Sequence, residues 1–283
     1  MTSVWSNLGT LEVNGIRLGY REAGEPGGAP AVLLHGTGSW AGTWDRFAPV
    51  LIARGHRVIA VDLRGHADSA RTGDYRLDTL RDDLLGLVQT LGLRDVLAVG
   101  HSVGGYAALA AAQHSPDRFA GLVLEDLAAP PRRGPHRLLN VAGRVLTARP
   151  DHELAVKASI FLQLSRPDPA WWARLREVRQ PALVLSGGRT SCIPPRRLAG
   201  VAAALPDARL ATIPVGHRVH SLAPEAFATE VTTFLTESAH RDGGHAPTEC
   251  SRQPRSGATG AGVRGIGRIS CWRSTTATAR PPR

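Results

Sequence analysis

Val99-Gly100-His101-Ser102-Val103-Gly104-Gly105 lies between the apolar run Val96-Leu97-Ala98-Val99 and an alanine-rich stretch, residues 103–114, of high intrinsic helix propensity. The run reads as a buried strand and the stretch as a helix, which puts Ser102 at a sharp strand-to-helix turn. Such a turn strains its apex and leaves no space for a Cβ on either side, and Gly100 and Gly104 meet that need. Ser102 Oγ is thereby lifted clear of the sheet. The helix start behind it offers unpaired N–H groups and a partial positive charge, suited to a developing oxyanion. Residues of this kind in this order point to Ser102 as a nucleophile.

Outward from the turn, Ala31-Val-Leu-Leu34, Arg57-Val-Ile-Ala-Val61, Gly121-Leu-Val-Leu124 and Ala182-Leu-Val-Leu185 are further compact apolar runs, the pattern of strands buried on both faces. Helical patterns cover residues 43–53, 77–91 and 103–114. Arg209-Leu-Ala-Thr-Ile213 supplies a last strand and residues 223–237 a closing helix. The chain opens differently, with two short strands joined through Asn14-Gly15, a dipeptide that accepts the positive φ of a hairpin turn. The fold class is α/β, with a mostly parallel sheet flanked by helices.

The spacing divides the chain into core residues 1–126 and 181–238, an intervening segment 127–180, and a tail 239–283. More than fifty residues between two core strands, with several prolines and amphipathic pieces, predict a helical cap or lid. Within it, Trp171-Trp172 with Phe161 and Leu162 either line an apolar pocket or hold the cap on the core. The Gly, Ser, Thr, Arg and Pro of the tail cannot bury enough apolar area to order it, so it is expected to be disordered.

The strand 31–34 runs into His35-Gly36-Thr37-Gly38, a turn that can present a backbone N–H to a negative oxygen. The N–H groups of Thr37 and Val103 are expected to form a two-donor oxyanion hole. His35, Gly36, Trp40, His101, Trp171 and Trp172 are the expected substrate pocket, with His35, His66 and His101 alternatively structural.

The net charge of +10 raises the question of a nucleic-acid or membrane partner. Eight arginines against Asp242 and Glu249 between Arg241 and Arg283 place six of those ten charges in the tail, and Lys157 is the only lysine. A basic binding face on the core is therefore not expected, nor is nucleic-acid binding. The N-terminal residues lack a basic segment followed by an apolar one, and no stretch is long and apolar enough for a membrane span, so a cytoplasmic protein without a membrane partner is expected. Cys192, Cys250 and Cys271 form neither an even disulfide set nor a metal-ligand spacing, and no metal or cofactor is expected.

With His35-Gly-Thr-Gly38, Asp62-Leu-Arg-Gly-His66, Gly100-His-Ser-Val-Gly104 and Gly216-His217 in this order, the chain resembles the α/β-hydrolase superfamily over about residues 10–238, in its serine-nucleophile, esterase- and lactonase-like branch. The resemblance implies an eight-stranded, mostly parallel sheet with an inserted cap. It also implies a catalytic triad in the order Ser, acid, His. His217 matches the family's base, with His220 as a competitor three residues on.

The acid departs from the family's commonest pattern, in which an Asp follows the strand corresponding to residues 183–185. No carboxylate occurs from Ser186 to Pro195, and Thr190 stands where the Asp would be. Some members place the acid after the preceding strand, where this chain has Glu125-Asp126. Asp126 aligns best, Glu125 is the alternative acid, and a water or Thr190 in its place is a third reading. The requirement is a buried carboxylate that accepts the Nδ1–H of the base. The expected chemistry is hydrolysis of a carboxylic ester, lactone or thioester of a small molecule through an acyl-enzyme. Carbon–carbon bond hydrolysis and an inactive binding member are the alternatives. Oligomeric state is left open by the sequence.

Overall fold

A computed structural model of the chain describes residues 3–133 and 152–242. The chain divides into Met1–Gly244 and His245–Arg283, and the second unit, with nearly all of the tail expected to be disordered, lies outside the described residues. So do residues 134–151 of the expected cap.

The sheet has eight strands: β1 (Asn7–Val13), β2 (Ile16–Ala23), β3 (Ala29–Leu34), β4 (His56–Val61), β5 (Val96–His101), β6 (Phe119–Glu125), β7 (Ala182–Ser186) and β8 (Ala208–Thr212). Their spatial order is β1-β2-β4-β3-β5-β6-β7-β8. The hairpin β1–β2 pairs antiparallel, β2 pairs antiparallel with β4, and all remaining pairs are parallel. Asn14 and Gly15 turn the hairpin at φ 51° and 76°, the twist that a two-residue hairpin loop requires.

Each central strand feeds two cores, because successive side chains point to opposite faces. Val32, Leu34, Ala98, Leu122, Leu124 and Val184 pack on one face, beneath α2 (Leu77–Thr90) and α3 (Val103–His114). Leu33, Ala60, Val99, Val123 and Leu185 pack on the other, against Trp44, Phe47 and α1 (Ala48–Ile52). That second core is closed by Phe227, Val231 and Phe234. These belong to the last helix, which runs Pro224–Asp242, five residues beyond the expected end.

Between β6 and β7 the described residues form α4 (His152–Leu164) and α5 (Pro169–Arg174). Asp168 caps α5 by accepting the Trp171 N–H at 2.8 Å, one of the four amide groups that a helix start leaves unpaired. The helix expected over residues 43–53 is split into a 3₁₀ turn, Ala41–Trp44, and α1. Pro49 explains the split: it has no N–H to give inside a helix and is tolerated in a first turn. A further helix, α6 (Pro195–Ala202), begins on a proline for the same reason.

Candidate active site

At the end of β5, Ser102 is held at φ 53° and ψ −114°, between the last residue of the strand and the first of α3. A non-glycine residue there is strained, and it persists only where its surroundings fix it. Those surroundings are close backbone. A Cβ on Gly100 would lie 2.5 Å from the carbonyl of Gly104, and one on Gly104 would collide with the carbonyls of Leu34 and His35. The Ser102 N–H donates to Glu125 O at 2.9 Å, and its carbonyl accepts from Tyr106 and Ala128, each at 3.1 Å.

Two loops at the same end of the sheet meet this turn. After β8, Gly216 adopts φ +96° and swings His217 back, so that its Nε2 lies 3.1 Å from Ser102 Oγ. The other ring nitrogen, Nδ1, lies 2.6 Å from Asp126 Oδ2. Asp126 follows β6 directly, is fully buried and has φ 45°. Its carboxylate also accepts the Gly187 N–H at 2.9 Å and the Ser191 hydroxyl. Ser102, His217 and Asp126 thus form one continuous hydrogen-bonded line.

Glu125 is directed elsewhere. Fully buried, it accepts the backbone N–H of His220 at 2.9 Å and binds His220 Nδ1 at 2.7 Å. His220 Nε2 in turn is 2.7 Å from Thr43 Oγ1, and its ring packs on Trp44 with centroids 4.4 Å apart. The competing histidine and the competing carboxylate therefore engage each other below the site. His101 ties this layer to the upper one: its Nε2–H donates to the His217 carbonyl at 2.8 Å, and its ring lies against both His217 and His220.

Charge follows from these surroundings. Burial pushes His35 down to about 3 and His101 down to about 4, so both are neutral. Burial alone would raise the Glu125 carboxyl, but His220 and His101 hold it below its ordinary value. Burial likewise pushes His217 down. The hydrogen bond to Asp126 and the nearby Cys192 side chain outweigh it and bring His217 up to about 9. Cys192 is exposed, and sequence reasoning weighed it only as a disulfide or metal residue. Its approach to His217 depends on how the loop after β7 folds, which no local pattern encodes.

The strand end of β3 lies against the turn. A Cβ on Gly36 would sit 3.2 Å from Ser102 Cβ and 2.5 Å from His101 Nδ1. The next residue, Thr37, and Val103 both have backbone N–H groups with no acceptor among the described residues. His35 is not a pocket residue: it is fully buried, accepts the Leu63 N–H at 3.0 Å and donates to Gly36 O at 2.7 Å, which fastens β3 to the end of β4. His66 accepts the Gly38 N–H at 3.1 Å.

The tryptophans make the contacts of the second role allowed above, holding the segment on the core. Trp171 is fully buried and stacks on Tyr106 of α3, with centroids 5.9 Å apart. Trp172 donates to Pro130 O at 3.0 Å and lies under the Arg132 guanidinium. Both fasten the described part of the segment between β6 and β7 to the core. Burying two indoles is a strong apolar anchor. Trp40, by contrast, is 46% exposed and borders a cavity of about 360 Å³ together with Gly38 and His66.

A family profile for the alpha/beta hydrolase fold matches residues 30–146. Among curated relatives, the sn-1-specific diacylglycerol lipase of Mus musculus is 26% identical over 72% of this chain and 80% of its own. Among solved structures, a hydrolase from Pseudomonas aeruginosa aligns with a TM-score of 0.72 at 26% identity, over 81% of this chain and 98% of that one. The enol-lactonase from Burkholderia xenovorans aligns with a TM-score of 0.68 at 26% identity, over 81% of this chain and all of its own. Other curated relatives, 34–41% identical, are matched over only 30–46% of their own length. The chain has the α/β-hydrolase fold.

Proposed function

We propose that the protein is a serine hydrolase that cleaves a carboxylic ester, lactone or thioester of a small molecule. The observation that carries this reading is the line from Asp126 through His217 to Ser102, with spacings of 2.6 and 3.1 Å. Neutral His217 takes the proton of Ser102 as Oγ attacks the substrate carbonyl. Asp126 fixes the ring by accepting Nδ1–H and stabilises the imidazolium that forms. The N–H groups of Thr37 and Val103 receive the tetrahedral oxyanion. His217 then protonates the leaving group, and a water attacks the acyl-enzyme by the same route in reverse. Likeness to a lipase and an enol-lactonase, both named for ester-type bonds, supports this choice of bond.

The test combines fluorophosphonate labelling with turnover of short-chain nitrophenyl esters. Wild type is expected to label and turn over, and Ser102→Ala to do neither. Asp126→Asn should lose about 10,000-fold in kcat, the scale on which a triad carboxylate acts. Glu125→Gln should reduce stability more than turnover, since its partner is His220. A folded wild type that neither labels nor turns over any activated ester would overturn the reading in favour of a binding protein.

A further inference from the structure

Beside the site, and unused by the chemistry above, three arginines line two adjacent cavities. The larger, of about 690 Å³, lies on the β1–β2 hairpin and is lined by Arg17, Arg21 and Arg71 with Asp62 and Asp68. The smaller, of about 360 Å³, is lined by Gly38, Trp40, His66 and Glu153, and shares Ala67 and Arg71 with the larger. Gly38 is two residues from Gly36, whose added Cβ would touch Ser102 Cβ at 3.2 Å. Two residues of chain span at most about 7 Å, so the smaller cavity begins within a short reach of the nucleophile, and Arg71 lies between it and the larger one.

The local sequence builds this surface. Residues 17, 19 and 21 alternate onto one face of β2, and residue 19 is glycine. A Cβ there would come within 2.8 Å of Asp68 Cβ and 3.0 Å of Asp62 Oδ2. Asp62 and Asp68 therefore press against the strand between the two arginines, and only glycine fits there. Among the described residues, the guanidinium groups of Arg17 and Arg71 have no hydrogen-bond or ion-pair partner. Arg21 lies over the Trp40 ring, 4.3 Å from its centroid, close enough to Asp62 to favour its charged form but without a salt bridge to it. The nearby acids are partly engaged: Asp62 accepts the Ala41 N–H at 2.7 Å, and Glu153 pairs with Lys157. Arg64, in the same region, is different, being buried in a two-bond pair with Asp83.

We propose that Arg17, Arg21 and Arg71 bind an oxyanion, a carboxylate or a phosphate, carried by the substrate at a distance from its reacting carbonyl. This rests on the hydrolase reading and narrows it to anionic esters or thioesters. Guanidinium groups suit either oxyanion because their fixed N–H forks match its geometry. Trp40 supplies an exposed apolar wall of the smaller cavity.

Two matched ester series test it, with a methyl, a carboxylate or a phosphate ending either the acyl chain or the alcohol, over a range of spacer lengths. In at least one series kcat/KM should favour an anionic ester over the neutral one by about tenfold or more, the scale of one charge-assisted hydrogen bond. Adding salt should shrink this preference. Arg17→Gln with Arg71→Gln should abolish it, and a preference for the carboxylate or the phosphate identifies the oxyanion. Absence of any anion preference, or a preference that survives in the double variant, overturns the proposal while leaving the hydrolase reading intact. If no ester is turned over, the hydrolase reading fails by itself. Calorimetric titration with inorganic phosphate and with succinate then decides: binding lost in the double variant supports the oxyanion site, and no binding, or unchanged binding, refutes it.

Discussion

For the proposed chemistry His217 has to be neutral to accept a proton from Ser102, yet its surroundings hold it protonated to about pH 9. At pH 7 the neutral form is then only about one part in a hundred. Activity should therefore rise with pH and level off above about 9. In Cys192→Ala one of the groups that raises the imidazole is gone, so the midpoint of the kcat/KM profile should move towards neutral pH. An unchanged midpoint would mean that the Cys192 side chain does not act on His217. The adjacent carboxylates show how far the sequence could be read at this scale. Glu125 and Val123 share a face of β6, the face that packs with Trp44 and Phe227, and this carries Glu125 to His220. Asp126 has left the strand with φ 45° and turns towards His217 instead. Alternation along a strand was visible in the sequence, whereas the backbone reversal that separates the two carboxylates depends on the loop beyond it.

The turn around Ser102 is the element on which the site depends. Gly104→Ala would drive a methyl group into the Leu34 and His35 carbonyls, backbone that cannot move without displacing β3. Thermal unfolding of this variant should occur well below that of wild type, with turnover lost in the residual folded fraction. Trp171→Ala tests the anchoring of the segment between β6 and β7. Removal of a fully buried indole costs about 3 to 5 kcal/mol, read as a lower urea midpoint with little change in the ratio of kcat values for small esters. The central strands were legible because they are apolar on both faces, and the helix after Ser102 because of its alanines. The tryptophans were not: an aromatic pair signals burial, but whether it faces a cavity or a helix depends on contacts more than sixty residues away, such as that between Tyr106 and Trp171.

For the whole molecule, protonation sets opposite demands on folding and on activity. The folded pKa of His217, about 9, lies above its unfolded value of about 6.5. Its contribution is fully present below pH 6.5 and is lost as pH rises through 9. His35 and His101 are shifted the other way, to about 3 and about 4. Their contribution is present above pH 6.5 and is lost as pH falls towards those values. From these histidines the urea midpoint should be greatest near pH 6.5 and decline on both sides, while kcat/KM continues to climb on the alkaline side. Coinciding optima for stability and activity would contradict this assignment of charges.

A single carboxylate, Asp126, accepts from the Gly187 amide, the Ser191 hydroxyl and the His217 ring, and so joins the ends of β6, β7 and β8. The loop after β7 provides donors to an acid from the neighbouring strand, while Gly216 returns a backbone bond to Gly187 at 2.9 Å. In hydrogen-exchange experiments this makes Gly187 an unusual reporter: its amide lies outside the strand ladders, and its protection depends on a side chain. In Asp126→Ala, deuterium uptake at Gly187 and Gly216 should accelerate together while the β1–β2 hairpin exchanges as before. The three loops would then open as one cooperative unit, setting how often the site is transiently dismantled in the native protein.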